Sequence, residues 1–192
     1  MTAGKAELRR RLRQRPAAGD SSALCHRVLE SAWFRGAETV LVYCAIPPEP
    51  DLEPVLEAAL GQGKTLLLPR CEADGIMTAR LVRDLAELQR GAYGIREPRP
   101  GAPEFPPEQI QLILTPGVAF DRRGGRLGRG KGYYDRFLQK TNGMTVGVCY
   151  GAGLLDQVPM EPHDRRMDAV VTEYETIFCG MEGDGCLGKN AI

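Results

Sequence analysis

A basic, glycine-rich segment is the part of this sequence best suited to bind an anion. It runs from Thr115 to Asp135 and reads TPGVAFDRRGGRLGRGKGYYD. Glycine lets backbone N–H groups turn inward and approach an anion closely. Five glycines fall within nine positions: Gly124, Gly125, Gly128, Gly130 and Gly132. With the positive charge of Arg126, Arg129 and Lys131, these features favour a polyphosphate ligand, while a flexible basic turn without a ligand stays open as the alternative.

The same segment comes close to the spacing of a Walker A loop. Gly125, Gly130 and Lys131 match the pattern G-x-x-x-x-G-K, but Gly132 follows where a Ser or Thr hydroxyl would hold magnesium. The segment is therefore not a standard P-loop, and another group has to hold the metal. The nearest carboxylate is that of Asp135.

Charged residues elsewhere recur at spacings that could also meet a ligand. Lys5, Arg9 and Arg13 are four residues apart, so they would share one face of a helix. A solvated basic face explains the same spacing. Glu49 and Asp51 lie in a proline-rich turn after an apolar run, where they could meet either a ligand or water.

An acidic stretch and a pair of tyrosines complete the candidates. His163, Asp164 and Asp168 precede the last apolar run, and the two carboxylates could coordinate a hard cation such as magnesium. Capping of a helix or turn is the competing role for these aspartates. Tyr133 and Tyr134 could stack on a flat ring or pack in the core.

Helical spacings and short apolar runs alternate along the chain and predict the elements that position these residues. A helix from about Lys5 to Arg15 ends at Pro16, and Asp20 is the predicted N-cap of a second helix. The predicted buried face of that second helix consists of Leu24, Val28, Leu29, Ala32 and Trp33. The predicted strands are Val40–Ala45, Thr65–Leu68, Leu112–Thr115, Thr145–Cys149 and Ala169–Thr172. Further predicted helices are Glu53–Leu60, Leu81–Leu88 and Tyr133–Lys140.

This order of elements predicts an α/β fold. Strands that are apolar on both faces and alternate with helices indicate a mostly parallel sheet covered on both sides. Functional residues are then expected in the loops beyond the carboxyl ends of the strands. The segment Arg96–Pro107, with five prolines, is expected to be an irregular connection, and the Gly- and Cys-rich tail after Thr172 is expected to be less ordered.

Composition limits the class of protein. The 192 residues suit one domain, and 25 basic residues balance 25 acidic ones, which argues against a general nucleic-acid binder. No apolar run approaches the roughly 18 residues of a membrane helix, and no apolar stretch follows the basic start as in a signal peptide. The six cysteines are scattered and are expected to be reduced thiols of a cytoplasmic protein. With two histidines, a multi-histidine metal site is excluded.

Taken together, these motifs resemble the 5-formyltetrahydrofolate cyclo-ligase family, also called 5,10-methenyltetrahydrofolate synthetases. The most specific match is RLGRGKGYYD at Arg126–Asp135, preceded by PGVAFD at Pro116–Asp121. Shorter matches occur in the family's order: KAELR at Lys5–Arg9, EPD at Glu49–Asp51 and HDRRMDAVVTE at His163–Glu173. The resemblance implies a single domain over residues 1–192 with a three-layer αβα sandwich of Rossmann-like type.

The resemblance also implies a reaction. ATP and 5-formyltetrahydrofolate would give 5,10-methenyltetrahydrofolate, ADP and phosphate, with magnesium as cofactor. The formyl oxygen would attack the γ-phosphate, and N-10 would trap the resulting imidate phosphate as the ring closes. In such transfers the protein mainly positions the partners and neutralises charge. ATP and the folate would be the partners of a monomeric protein that binds neither nucleic acid nor membrane.

Individual roles follow from the resemblance by position. The residues that would contact ATP are Lys5, Ala6, Glu7, Leu8 and Arg9 on the first helix, and Arg126, Leu127, Gly128, Arg129, Gly130, Lys131, Gly132, Tyr133 and Tyr134 in the glycine-rich segment. Those that would contact the folate are Arg9, Ile46, Glu49, Asp51, Arg129, Gly130, Lys131, Gly132 and Tyr133. The catalytic residues would be Lys131, the main stabiliser of transition-state charge, and Arg129. The magnesium ligands would be Asp135 and Asp164.

The sequence also departs from the family pattern and leaves two other functions open. Leu52 stands where the family often has Thr, the loop Ala45–Asp51 is rich in proline, and the tail beyond Glu173 is long. An RNA-binding module could use the basic glycine-rich segment and would bind RNA with a steep salt dependence. The other is a different ATP-using enzyme, such as a kinase on a related scaffold, although a standard P-loop kinase is disfavoured because no Ser or Thr follows Lys131.

Overall fold

The N-terminal third of the chain contains most of the helices. In the computed structural model, which describes residues 3–12, 19–72, 75–91, 94–161 and 164–180, the helices are α1 (Ala3–Leu12), α2 (Ser21–Glu30), α3 (Ala32–Gly36), α4 (Glu53–Gly61) and α5 (Tyr133–Leu138). Asp20 caps α2 as predicted, because its carboxylate accepts the N–H groups of Ser22 and Ala23. The predicted end of the first helix lies outside the described residues.

The strands form one large sheet and two small ones within the described residues. The large sheet contains β1 (Thr39–Leu41), β2 (Thr65–Cys71), β3 (Met77–Leu81), β6 (Glu104–Phe105), β7 (Leu112–Pro116), β10 (Met144–Val148), β12 (Ala169–Val171) and β13 (Thr176–Phe178). One small sheet consists of β8 (Ala119–Asp121), β9 (Arg126–Leu127) and β11 (Leu154–Leu155), and the other of β4 (Gln89–Arg90) and β5 (Arg96–Glu97).

The large sheet is parallel at its centre and antiparallel at both edges. Its strand order is β13-β12-β10-β7-β1-β2-β3-β6. The pairs β12-β10, β10-β7, β7-β1 and β1-β2 are parallel, and they contain the five predicted strands. The pairs β2-β3, β3-β6 and β12-β13 are antiparallel. The prediction of a mostly parallel α/β sheet is therefore confirmed.

Alternate side chains of the central strands enter two different cores. In β2, Leu66 and Leu68 pack with α2, α3 and α4 on one face, whereas Leu67 packs with α5 on the other. This division follows from the period of two along a strand, and it explains why these runs are mostly apolar on both faces. A third, smaller cluster joins α1 to β8 and β9 through Leu12 and Leu127.

The predicted helix over Leu81–Leu88 is wrong. Leu81 ends β3, and Val82 continues the contact with β2 by donating its N–H to the carbonyl of Leu66. After Asp84 the chain makes only one 3₁₀ turn, at Leu85–Glu87. Pairing with an edge of the sheet therefore outweighs the local helical spacing of these residues.

Two further predictions of element length need correction. The second helix ends at Glu30, and Ser31 caps the separate helix α3. Ala32, which was predicted to lie on the buried face, is consequently exposed, whereas Phe34 of α3 is buried in the core. The predicted strand Val40–Ala45 is shorter in the structure, because β1 ends at Leu41 and the last bond to β2 is the one from the N–H of Val42 to the carbonyl of Leu67, before the proline-rich turn.

The expected loss of order after Thr172 is also wrong for the first residues of the tail. Thr176–Phe178 forms β13, which pairs with β12 in antiparallel register. The carbonyl of Glu175 accepts the N–H of Thr172, and the resulting turn aligns the two strands. Residues 181–192 lie outside the described part. Among the described helices, none has the length and apolar character needed to span a bilayer.

Candidate active site

Loops at the carboxyl ends of the central strands surround a cavity of about 620 Å³. Its walls come from the loop after β1, the end of β2, the residues after β7 and the glycine-rich segment. This position agrees with the expectation from the parallel sheet, and the volume suits an organic ligand of the size of a nucleotide or a folate. We call this space the central cavity.

The glycine-rich segment begins as a hairpin of β8 and β9 that a buried carboxylate holds together. Oδ1 of Asp121 accepts the N–H groups of Arg123 and Gly125 at 2.9 and 2.8 Å. Its Oδ2 accepts the N–H of Val158 at 2.8 Å. Asp121 is only 1% exposed, so these three bonds replace water at a buried charge. They fix the turn from which the rest of the segment extends.

Helix α1 holds the middle of the segment. Arg9 donates from Nε to the carbonyl oxygen of Gly128 at 2.7 Å. Gly130 has φ = 101°, a conformation that favours glycine, and the Arg9 guanidinium lies 3.6 Å from the position of a Cβ there. The structure thus brings the predicted residue Arg9 against the glycine-rich segment across more than a hundred residues of sequence.

Arg129 connects the segment to the loop after β1. Its Nε donates to Oε1 of Glu49 at 2.9 Å, and an Nη donates to the carbonyl of Ile46 at 3.1 Å. The Glu49 side chain is only 7% exposed, and its Oε2 also accepts the N–H of Ile46. Three predicted residues from two distant motifs therefore meet at the wall of the central cavity.

Lys131 remains available to a ligand. Its side chain is exposed at the cavity wall, and its Nζ has no ion pair or hydrogen bond with any described residue. Its carbonyl accepts a hydrogen bond from Arg136, which fixes the backbone at this point. Gly132 then adopts φ = 70° and precedes α5. The backbone is held, while the ammonium group stays free to meet a phosphate.

Both predicted magnesium ligands are paired with cations in this structure. Asp135 accepts a hydrogen bond from Arg126, whose guanidinium also lies over the ring of Tyr134. Asp164 accepts Lys5 Nζ at 2.5 Å and the N–H of Glu161 at 2.6 Å. Asp135 lines the central cavity, whereas Asp164 and Lys5 lie outside its wall.

The other predicted residues of α1 divide between solvent and packing. Ala6 and Glu7 are exposed, and the ion pair of Glu7 with Arg10 lowers the pKa of the Glu7 carboxyl. Leu8 packs on the small cluster that contains Leu127. In this structure Ala6 and Glu7 are thus not in contact with the cavity wall. Arg13 lies outside the described residues.

Asp51 and Asp168 have local structural contacts. Asp51 accepts the N–H of Glu53 at the start of α4 and is not part of the cavity wall. Asp168 accepts both the N–H and the hydroxyl of Thr145. The Asp51 contact fits the surface turn that the sequence left open, whereas Asp168 joins the start of β12 to β10 instead of capping a helix or turn. His163 lies outside the described residues.

Sequence reasoning missed two thiols of the cavity wall. Cys44 follows β1 and Cys71 ends β2, and both line the central cavity. The sequence feature that could have identified these thiols is their position near the carboxyl ends of two predicted strands. Burial raises the pKa of each thiol to about 11.

The raised thiol pKa values predict slow alkylation at neutral pH. Only the thiolate is nucleophilic, so the rate of reaction of Cys44 and Cys71 with iodoacetamide should rise about tenfold per pH unit up to about pH 11. Mass spectrometry of peptides from the folded protein measures this rate at each position. Rapid labelling of both thiols at pH 7 would contradict the expected burial.

Comparison with known proteins adds independent information about this arrangement. The model of the 5-formyltetrahydrofolate cyclo-ligase family matches residues 2–173. The 5-formyltetrahydrofolate cyclo-ligase of Mycolicibacterium smegmatis is 37% identical over 161 residues, which cover 73% of this chain and 78% of the relative. The mouse enzyme of the same name is 28% identical over 185 residues, which cover 88% and 91%.

Solved structures agree with these sequence relatives. The NMR structure of 5,10-methenyltetrahydrofolate synthetase from Aquifex aeolicus has 34% identity and a TM-score of 0.82, and the alignment covers 96% of both chains. A second synthetase, from Mycoplasma pneumoniae, shares the fold with a TM-score of 0.70 at 20% identity. The matching family model, the extent of the sequence relatives and the shared fold lead to one conclusion: the chain belongs to the 5-formyltetrahydrofolate cyclo-ligase family.

Proposed function

We propose that this protein cyclises 5-formyltetrahydrofolate to 5,10-methenyltetrahydrofolate and couples the reaction to the conversion of ATP into ADP and phosphate. One observation carries the proposal. Arg9 of α1 binds the carbonyl of Gly128, and Arg129 binds Glu49, so the glycine-rich segment is held by α1 and meets the loop after β1 at the wall of one cavity. A nucleotide on the basic segment would then lie next to a ring held in that cavity.

The chemistry requires activation of an amide. The formyl oxygen is a poor leaving group, and its phosphorylation by the γ-phosphate of ATP turns it into a good one. N-10 then attacks the activated carbon and closes the five-membered ring, and the N-10 proton is lost as phosphate leaves. Positioning of the formyl oxygen against the phosphate and neutralisation of the phosphate charge are the tasks left to the protein.

Lys131 has the main electrostatic role in this proposal. Its ammonium group has no partner among the described residues, and the flanking backbone is fixed by Gly132 and by the Arg136 contact. A cation without another partner stabilises charge on the transferring phosphoryl group without first breaking another interaction. Arg129 holds Glu49 and Ile46, and thereby keeps the ring-binding wall beside the phosphate segment.

The residues present also suit magnesium. No cluster of three or more His, Cys, Asp or Glu side chains with metal-binding geometry occurs among the described residues, so the candidate ligands are fewer than three carboxylates at any one place in that part of the chain. Magnesium is commonly bound by one or two carboxylates together with substrate phosphates, and Asp135 and Asp164 would supply the carboxylates. When bound, the ion would neutralise phosphate charge. Arg126 and Lys5, which now pair with these carboxylates, would then face the phosphates.

A direct assay tests the proposed function. The purified protein is mixed with 5-formyltetrahydrofolate and Mg-ATP, and the near-ultraviolet absorbance of the methenyl product is followed. We expect product only when ATP, magnesium and the folate are all present, with one ADP formed per product. Absorbance that does not change under these conditions, for protein that is folded by circular dichroism, would rule out the function.

Replacement of Asp135 by asparagine tests the magnesium assignment. We expect the magnesium concentration that gives half of the maximal rate to rise roughly tenfold, because one anionic oxygen ligand is lost. The matched control is Glu175→Gln, which breaks a surface pair with Arg122 away from the cavity and should leave the magnesium dependence unchanged. The same magnesium dependence in Asp135→Asn and in the original protein would contradict the assignment.

A further inference from the structure

Arg136 connects the glycine-rich segment to a turn that is not part of the cavity wall. Its guanidinium donates from Nε and from one Nη to the carbonyl of Gly75, at 3.1 and 2.6 Å. The same Nη donates to the carbonyl of Lys131 at 2.9 Å. Gly75 lies in the turn between β2 and β3, which is closed by a hydrogen bond from the N–H of Glu72 to the carbonyl of Ile76. One side chain of α5 therefore joins this turn to the residue with the main electrostatic role.

Two glycines leave room for the Arg136 guanidinium. A Cβ at Gly75 would lie 2.5 Å from one Nη, and a Cβ at Gly132 would lie 2.7 Å from the other. Both glycines have positive φ, 75° and 70°, which favours glycine for a second reason. The guanidinium also lies over the ring of Tyr133, 5.9 Å from its centre. These contacts on several sides restrict the guanidinium to one position.

Lys131 needs a constraint from outside its own segment. It stands between Gly130 and Gly132, which have φ values of 101° and 70°. Glycine has the widest range of backbone conformations, so the local sequence does not hold the backbone at Lys131 in one conformation. The direction of a side chain depends on the backbone dihedrals of its residue. The hydrogen bond from Arg136 restrains the peptide unit after Lys131, and with it the direction in which the ammonium group extends.

We propose that Arg136 is a positioning residue, through which the turn between β2 and β3 sets the direction of the Lys131 ammonium group. The inference rests on the proposed function, in which Lys131 stabilises the transferring phosphoryl group. Neither Arg136 nor Gly75 lines the central cavity, so their effect on the reaction passes through the backbone of Lys131. Displacement of a catalytic group by about 1 Å lowers a rate by up to about a hundredfold, so kcat is the parameter that responds.

Kinetics of Arg136→Ala test the role of the side chain. We expect kcat to fall roughly tenfold, with KM for ATP and for the folate changed less than about twofold, because the interaction of Lys131 is strongest in the transition state. The matched control is Arg122→Ala, which removes an exposed guanidinium whose pair with Glu175 lies away from the cavity. An unchanged kcat in Arg136→Ala would overturn the proposal.

A double-mutant cycle separates positioning of Lys131 from a general structural effect. In the Lys131→Ala background no ammonium group remains to be placed, so adding Arg136→Ala should change the residual kcat by less than about twofold. A general weakening of the active site would instead lower kcat by the same factor in both backgrounds. That additive result would overturn the proposal.

Gly75→Ala tests the same link from the turn and leaves Arg136 and the glycine-rich segment unaltered. Its Cβ would displace the guanidinium, so kcat should fall about as much as in Arg136→Ala, and the two substitutions together should not lower it further. The control is Gly63→Ala, which meets the same backbone penalty at φ = 70° but has no other atom within 4 Å of the new Cβ. Equal kcat values in Gly75→Ala and Gly63→Ala would overturn the proposal.

Backbone dynamics keep this inference distinct from the proposed function. In ¹⁵N relaxation measurements without ligand, we expect order parameters near 0.85 for the amides of Lys131 and Gly132 in the original protein, and values below about 0.6 in Arg136→Ala and Gly75→Ala. If this change occurred in a protein that formed no methenyl product, the proposed function would fail and the link between the turn and Lys131 would stand. Order parameters that are the same in all three proteins would overturn the link, whatever the result of the assay.

Discussion

Lys131→Ala is expected to lower kcat of the ATP-dependent cyclisation by roughly 10²- to 10³-fold, the usual loss when one preorganised charge-stabilising donor is removed. Lys131 is exposed, and its Nζ has no partner among the described residues, so the substitution breaks no contact of the folded chain. The melting temperature should therefore stay within about 1–2 °C of the original value. The measurement is the rate of methenyl formation at saturating ATP and folate.

Two further variants make the Lys131 result specific. Lys140→Ala removes an exposed lysine beyond the end of α5, outside the cavity wall, and should retain the original kcat. Lys131→Arg keeps the charge with a different geometry and should recover part of the activity that alanine loses. Normal turnover by Lys131→Ala would remove Lys131 from the mechanism. Full loss in Lys140→Ala as well would indicate a nonspecific effect of charge.

Asp121→Asn is expected to reduce the free energy of unfolding by roughly 3 kcal/mol, because hydrogen bonds to a buried charge are lost. The carboxylate accepts the N–H groups of Arg123, Gly125 and Val158 with its two oxygens. An asparagine amide turns one of these acceptors into an NH₂ donor that would face a backbone N–H. Urea denaturation followed by circular dichroism measures the loss.

A surface control and an independent variant complete this test. Asp156→Asn changes an exposed carboxylate two residues before Val158 and should alter stability by less than about 0.5 kcal/mol. Gly125→Ala would place a Cβ 2.4 Å from Oδ2 of Asp121, so it should also destabilise the hairpin of β8 and β9. If Asp121→Asn were as stable as the original protein, the buried carboxylate would not be what holds this hairpin.

Much of the central sheet could be predicted because its signal is local. The five parallel strands are short runs that are mostly apolar on both faces, and burial on two faces requires that pattern. Asp20 marked the start of α2 because an N-cap acts on the next three residues. Antiparallel β3 and β13 escaped prediction, since each is stabilised by pairing with a neighbouring strand rather than by its own composition.

The sequence predicted which residues form the candidate site better than it predicted how those residues are arranged in space. The glycine-rich segment, Lys5, Arg9, Ile46 and Glu49 were named from motifs, and the structure brings Arg9, Ile46 and Glu49 onto that segment. The neighbouring sequence did not show whether Asp51 contacts the start of α4, as it does in the structure, or the folate. The thiols of Cys44 and Cys71 became part of the cavity wall because β1 and β2 are adjacent in the sheet.

The sequence by itself determined the parallel α/β core, the family and the basic segment suited to phosphate, because periodicity, glycine content and charge act over a few residues. Only the tertiary structure decided that Asp135 and Asp164 are paired with Arg126 and Lys5, and that the Tyr134 hydroxyl is buried without a hydrogen-bond partner among the described residues. Pairing and burial depend on atoms brought together from distant parts of the chain. No pattern within one segment reports those distances, so the chemistry of the cavity had to be read from the folded protein.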